Sequence, residues 1–231
     1  MNKLIPFFLI ALLTMLPQLV VAEVGTVANL LGKIHLKDAS GALSPLKKGD
    51  KVEVGSIVVS EEGAYGQIKF VDKGEMIIRP NSEIKINVYS FDKLDAKKDK
   101  IEIELVKGGL RRLTGLVGKR GNLDADKTKT PTATVGIRGT VFEALTCNND
   151  CSEIGLTNGE YFATKTGQIA IDNGAGEVVI AAGQFAKAST TITAPGQFKS
   201  QGAPKKLDKD PGMPPFNPPK NLAPKVNGCA A

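Results

Sequence analysis

The stretch "TPTATVGIRGTVFEA", residues 130–144, decides how this chain is read. Val135, Ile137, Val141 and Phe142 give it the character of a strand. Yet a long cation, Arg138, stands in its middle between Gly136 and Gly139. Side chains alternate along extended backbone, so Gly136 and Arg138 share one face, while Val135 and Ile137 share the other and are expected in the core. Gly136 then clears space on the arginine's own face, and Gly139 is suited to a bulge or a close backbone approach. Catalytic, anion-binding and structural uses are all open to such a residue. The sequence lacks the lysine and the strand-loop-helix setting of a phosphate loop. A planar guanidinium with five donors can tie carbonyls or a carboxylate together across a turn. We therefore expect Arg138 to be a structural clasp, and expect Arg138→Lys to lower the melting temperature.

The rest of the chain repeats this pattern of short β runs broken by glycine. "VGTVANLLGKIHLKD" gives two strands, and "DKVEVGSIVVS", "AYGQIKFVDKGEMIIRP", "EIKINVYSF" and "IEIELVKGGLRRL" give more. In "QIKF" Ile68 and Phe70 point one way, Gln67 and Lys69 the other, as in a strand buried on one face. Turn signals recur at Gly41, Gly49, Gly55, Gly63, Gly74 and "PNS" (80–82). Asn158–Gly159 reads as a two-residue hairpin turn. Thr166–Gly167 and "NGAG" (173–176) read as further turns. The mixed-charge run "DKLDAKKDK" (92–100) reads as a solvated loop. No segment has a helical period, so the fold class is all-β: a glycine-punctuated β-solenoid-like or β-sandwich-like module.

Both ends differ from this middle. Lys3, an apolar run over residues 4–16 and small residues at Val20 and Ala22 form a signal peptide, residues 1–22, with cleavage expected before Glu23. No later stretch is long and apolar enough to cross a bilayer, so no retained membrane segment is expected. The all-β domain is assigned to residues 23–190. Residues 191–231 form a tail in which eight of the thirteen prolines lie between Pro195 and Pro224, interleaved with lysines. Such a composition buries no core and is expected to be flexible. A polyproline-type segment that grips an envelope partner is the sharper alternative.

Composition narrows the chemistry. A formal charge of +6 over 231 residues permits contact with anionic surfaces but is far from the signature of a nucleic-acid binder. With no tryptophan, stacking platforms for sugars or bases are scarce. His35 is the only histidine, which removes the common His-rich metal sites and leaves no second candidate for a catalytic base of that type. Glu61 with Glu62 and Glu102 with Glu104 are paired carboxylates, read as a turn and a solvent-facing strand edge. A hydrolase pair would need burial to separate their pKa values. No cofactor, metal or small-molecule substrate is expected, and the chain is read as non-enzymatic. The best anion or partner contact is the basic cluster of Lys107, Arg111, Arg112, Lys119 and Arg120. Cys147 and Cys151 bracket the turn sequence "NND" and are expected to form a disulfide in an oxidising compartment. So small a ring is worth about 2 kcal/mol. Cys229 is left as a free thiol or an intermolecular link.

These pieces resemble the FecR domain. Residues 46–86 carry a Gly-Asp turn (Gly49, Asp50), an Asp-x-Gly turn (Asp72, Gly74) and the "PNS" turn. "KGGLRRLTG" is similar to a further segment of that domain. Its most diagnostic stretch, Thr-Pro-x-Ala-x-x-x-x-Arg-Gly-Thr-x-Phe, is matched by Pro131, Arg138, Gly139, Thr140 and Phe142 with Thr130 and Ala133. "TNGEYFATKTG" and "VVIAAGQFA" fit the closing strands, so the resemblance runs over about residues 43–188. It implies a periplasmic, non-enzymatic module. In the iron-uptake regulators that name the family, the domain relays a signal from an outer-membrane transporter to a cytoplasmic sigma factor. Here no cytoplasmic segment or retained membrane helix is read, so direct sigma-factor regulation is not expected. The expected role is a binding or scaffold module for an envelope protein or polymer, periplasmic or secreted from a Gram-negative cell. The alternative is a signal-sensing component coupled to a membrane regulator or transporter.

Overall fold

A computed structural model describes residues 23–122, 124–152 and 155–198. The expected signal peptide, most of the expected tail and Cys229 lie outside the described residues. Among those residues no helix is long and apolar enough to cross a membrane.

Short strands come first: β1 (Glu23–Leu31), β2 (Ile34–Lys37), β3 (Leu43–Pro45), β4 (Lys51–Glu53), β5 (Ile57–Ser60), β6 (Tyr65–Phe70), β7 (Glu75–Ile78) and β8 (Glu83–Ser90). Three long ones follow, β9 (Lys100–Leu113), β11 (Thr134–Cys147) and β12 (Gly159–Asp172), with the short β10 (Asp126–Lys129) between the first two. β13 (Glu177–Ala181), β14 (Phe185–Ala188) and β15 (Gly196–Phe198) close the chain. The class is all-β, and of the two forms expected the sandwich-like one describes it. Among the described residues pairing is antiparallel except where β10 runs parallel to β9, so these strands form no stacked parallel rungs.

The long strands explain the architecture, because each changes neighbours halfway. β9 pairs with β8 and β10 through its first half, then with β7 and β11 through its second. β12 pairs with β14 near its start and with β13 near its end. Two layers result, one running β3-β2-β5-β8-β9-β10-β11-β12-β13 and the other β4-β1-β6-β7-β9-β11-β12-β14-β15. Each long strand carries a glycine with positive φ at its change-over: Gly108 (+77°), Gly139 (+67°) and Gly167 (+72°). These angles are open to glycine and strained for other residues. Space is short there too. A Cβ on Gly108 would lie 2.6 Å from the Ser82 Cα, and one on Gly167 2.6 Å from the Gly139 carbonyl oxygen.

One apolar cluster fills the space between the layers. Ile84, Ile86, Ile101, Ile103, Val135, Ile137, Ile169 and Ile171 enter from one side, and Ile68, Met76, Ile78, Phe142, Phe162 and Ala186 from the other. Val135 and Ile137 are thus core residues, as their parity requires. Phe70 stacks on Tyr89 at 5.1 Å, and Lys69 is exposed beside it. The Asp-x-Gly turn forms as read: Asp72 accepts from the Gly74 N–H at 2.9 Å and from the Tyr89 hydroxyl at 2.5 Å. Burial and the neighbouring Asp72 charge push the Tyr89 hydroxyl pKa strongly up.

Two turn readings are corrected. Asn158–Gly159 does not make a two-residue hairpin. It ends a connection from β11 to β12 that spans residues 148–158. That connection starts with the Cys147–Cys151 disulfide, whose Cα atoms stand 5.5 Å apart. Thr166–Gly167 is no turn either. β12 runs straight through it, and Gly167 lies against Gly139 where the β11–β12 register slips. The "NGAG" run does turn β12 into β13, with Asn173 donating its N–H to the Gly176 carbonyl. The "DKLDAKKDK" loop is less solvated than expected at one point, since Asp99 is buried against Arg120 at 3.1 Å.

Candidate functional site

The basic cluster does not assemble. Arg111 and Arg112 are consecutive in β9 and both are buried, because each meets a carboxylate on its own side of the strand. Arg111 lies opposite Glu143 in the β9–β11 register, and its Nε donates to Glu143 Oε1 at 2.7 Å. Lys165 and Arg79 stand 3.3 and 3.7 Å from the same carboxylate, which is fully buried. Arg112 points between the layers. Its Nη1 donates to Asp126 Oδ1 at 2.9 Å and to the Thr128 hydroxyl at 2.8 Å, joining the β9 half of one layer to β10 of the other. Burial raises the Asp126 pKa, and Arg112 opposes that rise. Arg120 donates to the Asp92 carbonyl at 2.7 Å and lies over the Phe91 ring. Lys119 is half-buried, and desolvation lowers its pKa. Lys107 alone is exposed. Arg111, Arg112 and Arg120 are therefore internal ties, with their counter-charges on β11, on β10 and at Asp99 just before β9.

Arg138 shows the opposite correction. It is exposed, and it makes no ion pair or hydrogen bond with a described residue. It clasps nothing. The parts of the diagnostic stretch that do specify the fold are its neighbours. Pro131 occupies the second position of a turn closed by Thr130 N–H donating to the Ala133 carbonyl at 2.8 Å, a place that suits its fixed φ. Thr140 exchanges hydrogen bonds with Thr114, its N–H donating to the Thr114 hydroxyl at 3.0 Å. Phe142 is fully buried, and Gly139 makes the corner.

Arg138 instead borders a groove of about 620 Å³ on the outer face of the sheet over β10 to β13. Register sets its floor. Lys127, Gly136 and Ala170 are successive cross-strand neighbours, as are Lys129, Thr134, Asp172 and Glu177. The turn at 130–133 forms one wall. It is held by Glu160, whose carboxylate accepts from the Thr130 hydroxyl at 2.9 Å, the Thr132 N–H at 3.1 Å and the Thr132 hydroxyl. Burial raises the Glu160 pKa, and these hydrogen bonds oppose the rise. Gly136 has an ordinary φ, and a Cβ there would meet nothing nearer than 3.9 Å. Neither backbone strain nor packing demands a glycine at this position. Its lack of a side chain leaves the groove floor open.

Sequence reading placed Gly136 and Arg138 on one face but missed Lys127, Lys129, Asp172, Glu177 and Glu160. The first four were legible only as outward-facing strand positions. A smaller hollow of about 140 Å³ beside Cys151 is walled by Arg79, already committed to Glu143. Cys147, Asp150 and Cys151 bring three ligand atoms together, but the two sulfurs are bonded to each other and offer no thiolate. His35 pairs with Glu61 at 2.8 Å, away from the groove.

The family model described as FecR protein matches residues 56–160, from the end of the β4–β5 turn to the start of β12. The chain carries a FecR domain. The groove straddles the limit of the matched FecR segment: Lys127, Gly136 and Arg138 fall inside it, Asp172 and Glu177 beyond it. No curated protein matches the chain. Two crystal structures of a putative anti-sigma factor from Parabacteroides distasonis are similar, with TM-scores of 0.49 and identities of 14% and 13%. Each likeness covers 65% of this chain and 62% of the other, so this chain spans under two thirds of the length of those structures. A cell surface anchoring domain is similar over 28% of this chain and 84% of its own length, with 25% identity and a TM-score of 0.26.

Proposed function

We propose that this chain is an exported, non-enzymatic FecR-domain protein that recognises a partner in the cell envelope through the groove over β10 to β13. One observation carries the reading. In the family's most diagnostic stretch, Gly136 and Arg138 serve no structural need that the fold reveals, and both face the groove. An open floor beside an exposed planar cation that pairs with no described residue is available for a partner. The FecR domain itself favours a second reading, in which the bound state is passed on to a membrane regulator. A photo-crosslinking residue at Thr134, in intact envelopes, tests the first. The crosslink should disappear on Gly136→Leu, whose Cβ meets nothing nearer than 3.9 Å and whose side chain enters the groove, while the melting temperature stays put. A crosslink indifferent to Gly136→Leu defeats the groove reading. Mass spectrometry of the recovered chain should find Glu23 first, and a retained residue 1–22 segment defeats export by cleavage.

A further inference from the structure

Charges along the outer face of this sheet are mostly settled in pairs. Lys127 meets Asp124 at 3.1 Å and Lys129 meets Glu102 at 2.9 Å, while Asn87 donates to Glu104 at 2.8 Å. Among the described residues lining the groove, unsettled charge remains at its two ends. Arg138 stands at one end, opposite Gln168. Asp172 and Glu177 stand at the other, directly opposite one another across β12 and β13, and neither forms an ion pair with a described residue. Like charges in that register repel, so this pair is unfavourable until a cation joins it. Gln168 and Asp172 are four residues apart on one strand, a span of about 14 Å. The two ends therefore do not neutralise each other. On β11 and β12 only Gly136 and Ala170, which are cross-strand partners, face the groove between them.

Resting on the groove reading above, we propose that the groove takes an extended, dipolar polypeptide segment of the partner, with an acidic side chain at Arg138 and a basic one between Asp172 and Glu177. Extended backbone repeats its side chains on one face every second residue. Residues four apart in such a segment thus match the spacing of the two ends. The guanidinium offers a carboxylate two parallel donors, and an ammonium placed between two carboxylates relieves their repulsion.

The test uses the full chain and end-capped nonapeptides of alanine and serine that carry one aspartate and one lysine. Peptides with the two charges four residues apart are compared with peptides that have them adjacent, with acid-only peptides, and with uncapped short peptides whose charges are their termini. Binding is followed by backbone amide shifts and titration. The four-apart peptide should bind tightest and move the amides of Gly136, Arg138 and Asp172. Arg138→Ala should weaken it about tenfold without moving the melting temperature, and Asp172→Asn with Glu177→Gln should weaken it about tenfold without lowering the melting temperature, since the cross-strand repulsion is removed. Equal binding of the acid-only peptide would reduce the site to an anion contact. Preference for the uncapped peptides would assign it to free termini. Either result overturns this proposal, as does silence from every peptide, and all three leave the groove reading standing if Gly136→Leu still abolishes the envelope crosslink.

Discussion

Arg112 and Arg138 lie in neighbouring strands of one FecR domain and have opposite fates. Arg112 is 2% exposed and bound to Asp126 and Thr128, while Arg138 is exposed and bound to no described residue. The difference lies in what the facing strand supplies. β10 offers Asp126 and Thr128 to the inner face of β9, whereas Gly136 and Ala170 offer nothing on the outer face of β11. An arginine's role is thus read from its cross-strand company, not from the glycines beside it in sequence.

That contrast breaks most sharply at Arg112. Arg112→Ala strands the Asp126 carboxylate in the core and should cost about 3–5 kcal/mol of stability in denaturant unfolding. Replacing Arg112 and Asp126 together with leucine should recover most of that loss, since a buried pair is often no better than an apolar one. The glycine corner of β12, beside the strand that carries Arg138, comes next. Gly167→Ala forces positive φ on a residue with a Cβ that meets the Gly139 carbonyl, and should cost at least about 1–2 kcal/mol by the same measurement.

Glu160 sharpens the comparison from the acid side. Unlike Asp126 and Glu143 it is held by threonines with no cation of the described residues. Its raised pKa means that the folded chain binds the proton more tightly than the unfolded chain. Its contribution to stability is then full below the ordinary glutamate range and is lost as pH rises through the raised value. Melting temperatures of the native chain should fall relative to Glu160→Gln across that window, and a flat difference would refute the assignment. Smallest of all is Arg138→Ala, expected to change stability by no more than about 0.5 kcal/mol. A large loss would restore the clasp.

Much of the fold was legible because it rests on patterns of apolar residues. Val135 and Ile137, Ile68 and Phe70, and the Asp72 and "NGAG" turns all follow from period-two burial and turn chemistry. β10 was not legible. Its inward residues are Asp126 and Thr128, which carry no hydrophobic signal and become core only through Arg112. The same blindness misplaced the Arg111–Arg112 pair, since a lone sequence does not reveal the carboxylate across the strand. Thr166–Gly167 looked like a turn because a corner within a strand and a turn between strands make the same demand on a glycine. The groove was half visible, through the parity of Gly136 and Arg138. Its acidic end depends on β12 and β13 lying beside β11, a tertiary fact.

The corners at Gly108, Gly139 and Gly167 leave the domain without a seam. β9, β11 and β12 each belong to both layers, so neither layer can be released while the other stays folded. A domain knitted in this way opens as one cooperative unit, with whatever binds at the groove stabilising the far layer by the same free energy as the near one. Occupancy at one face would then register across the whole module as resistance to opening, with no hinge and no displaced part.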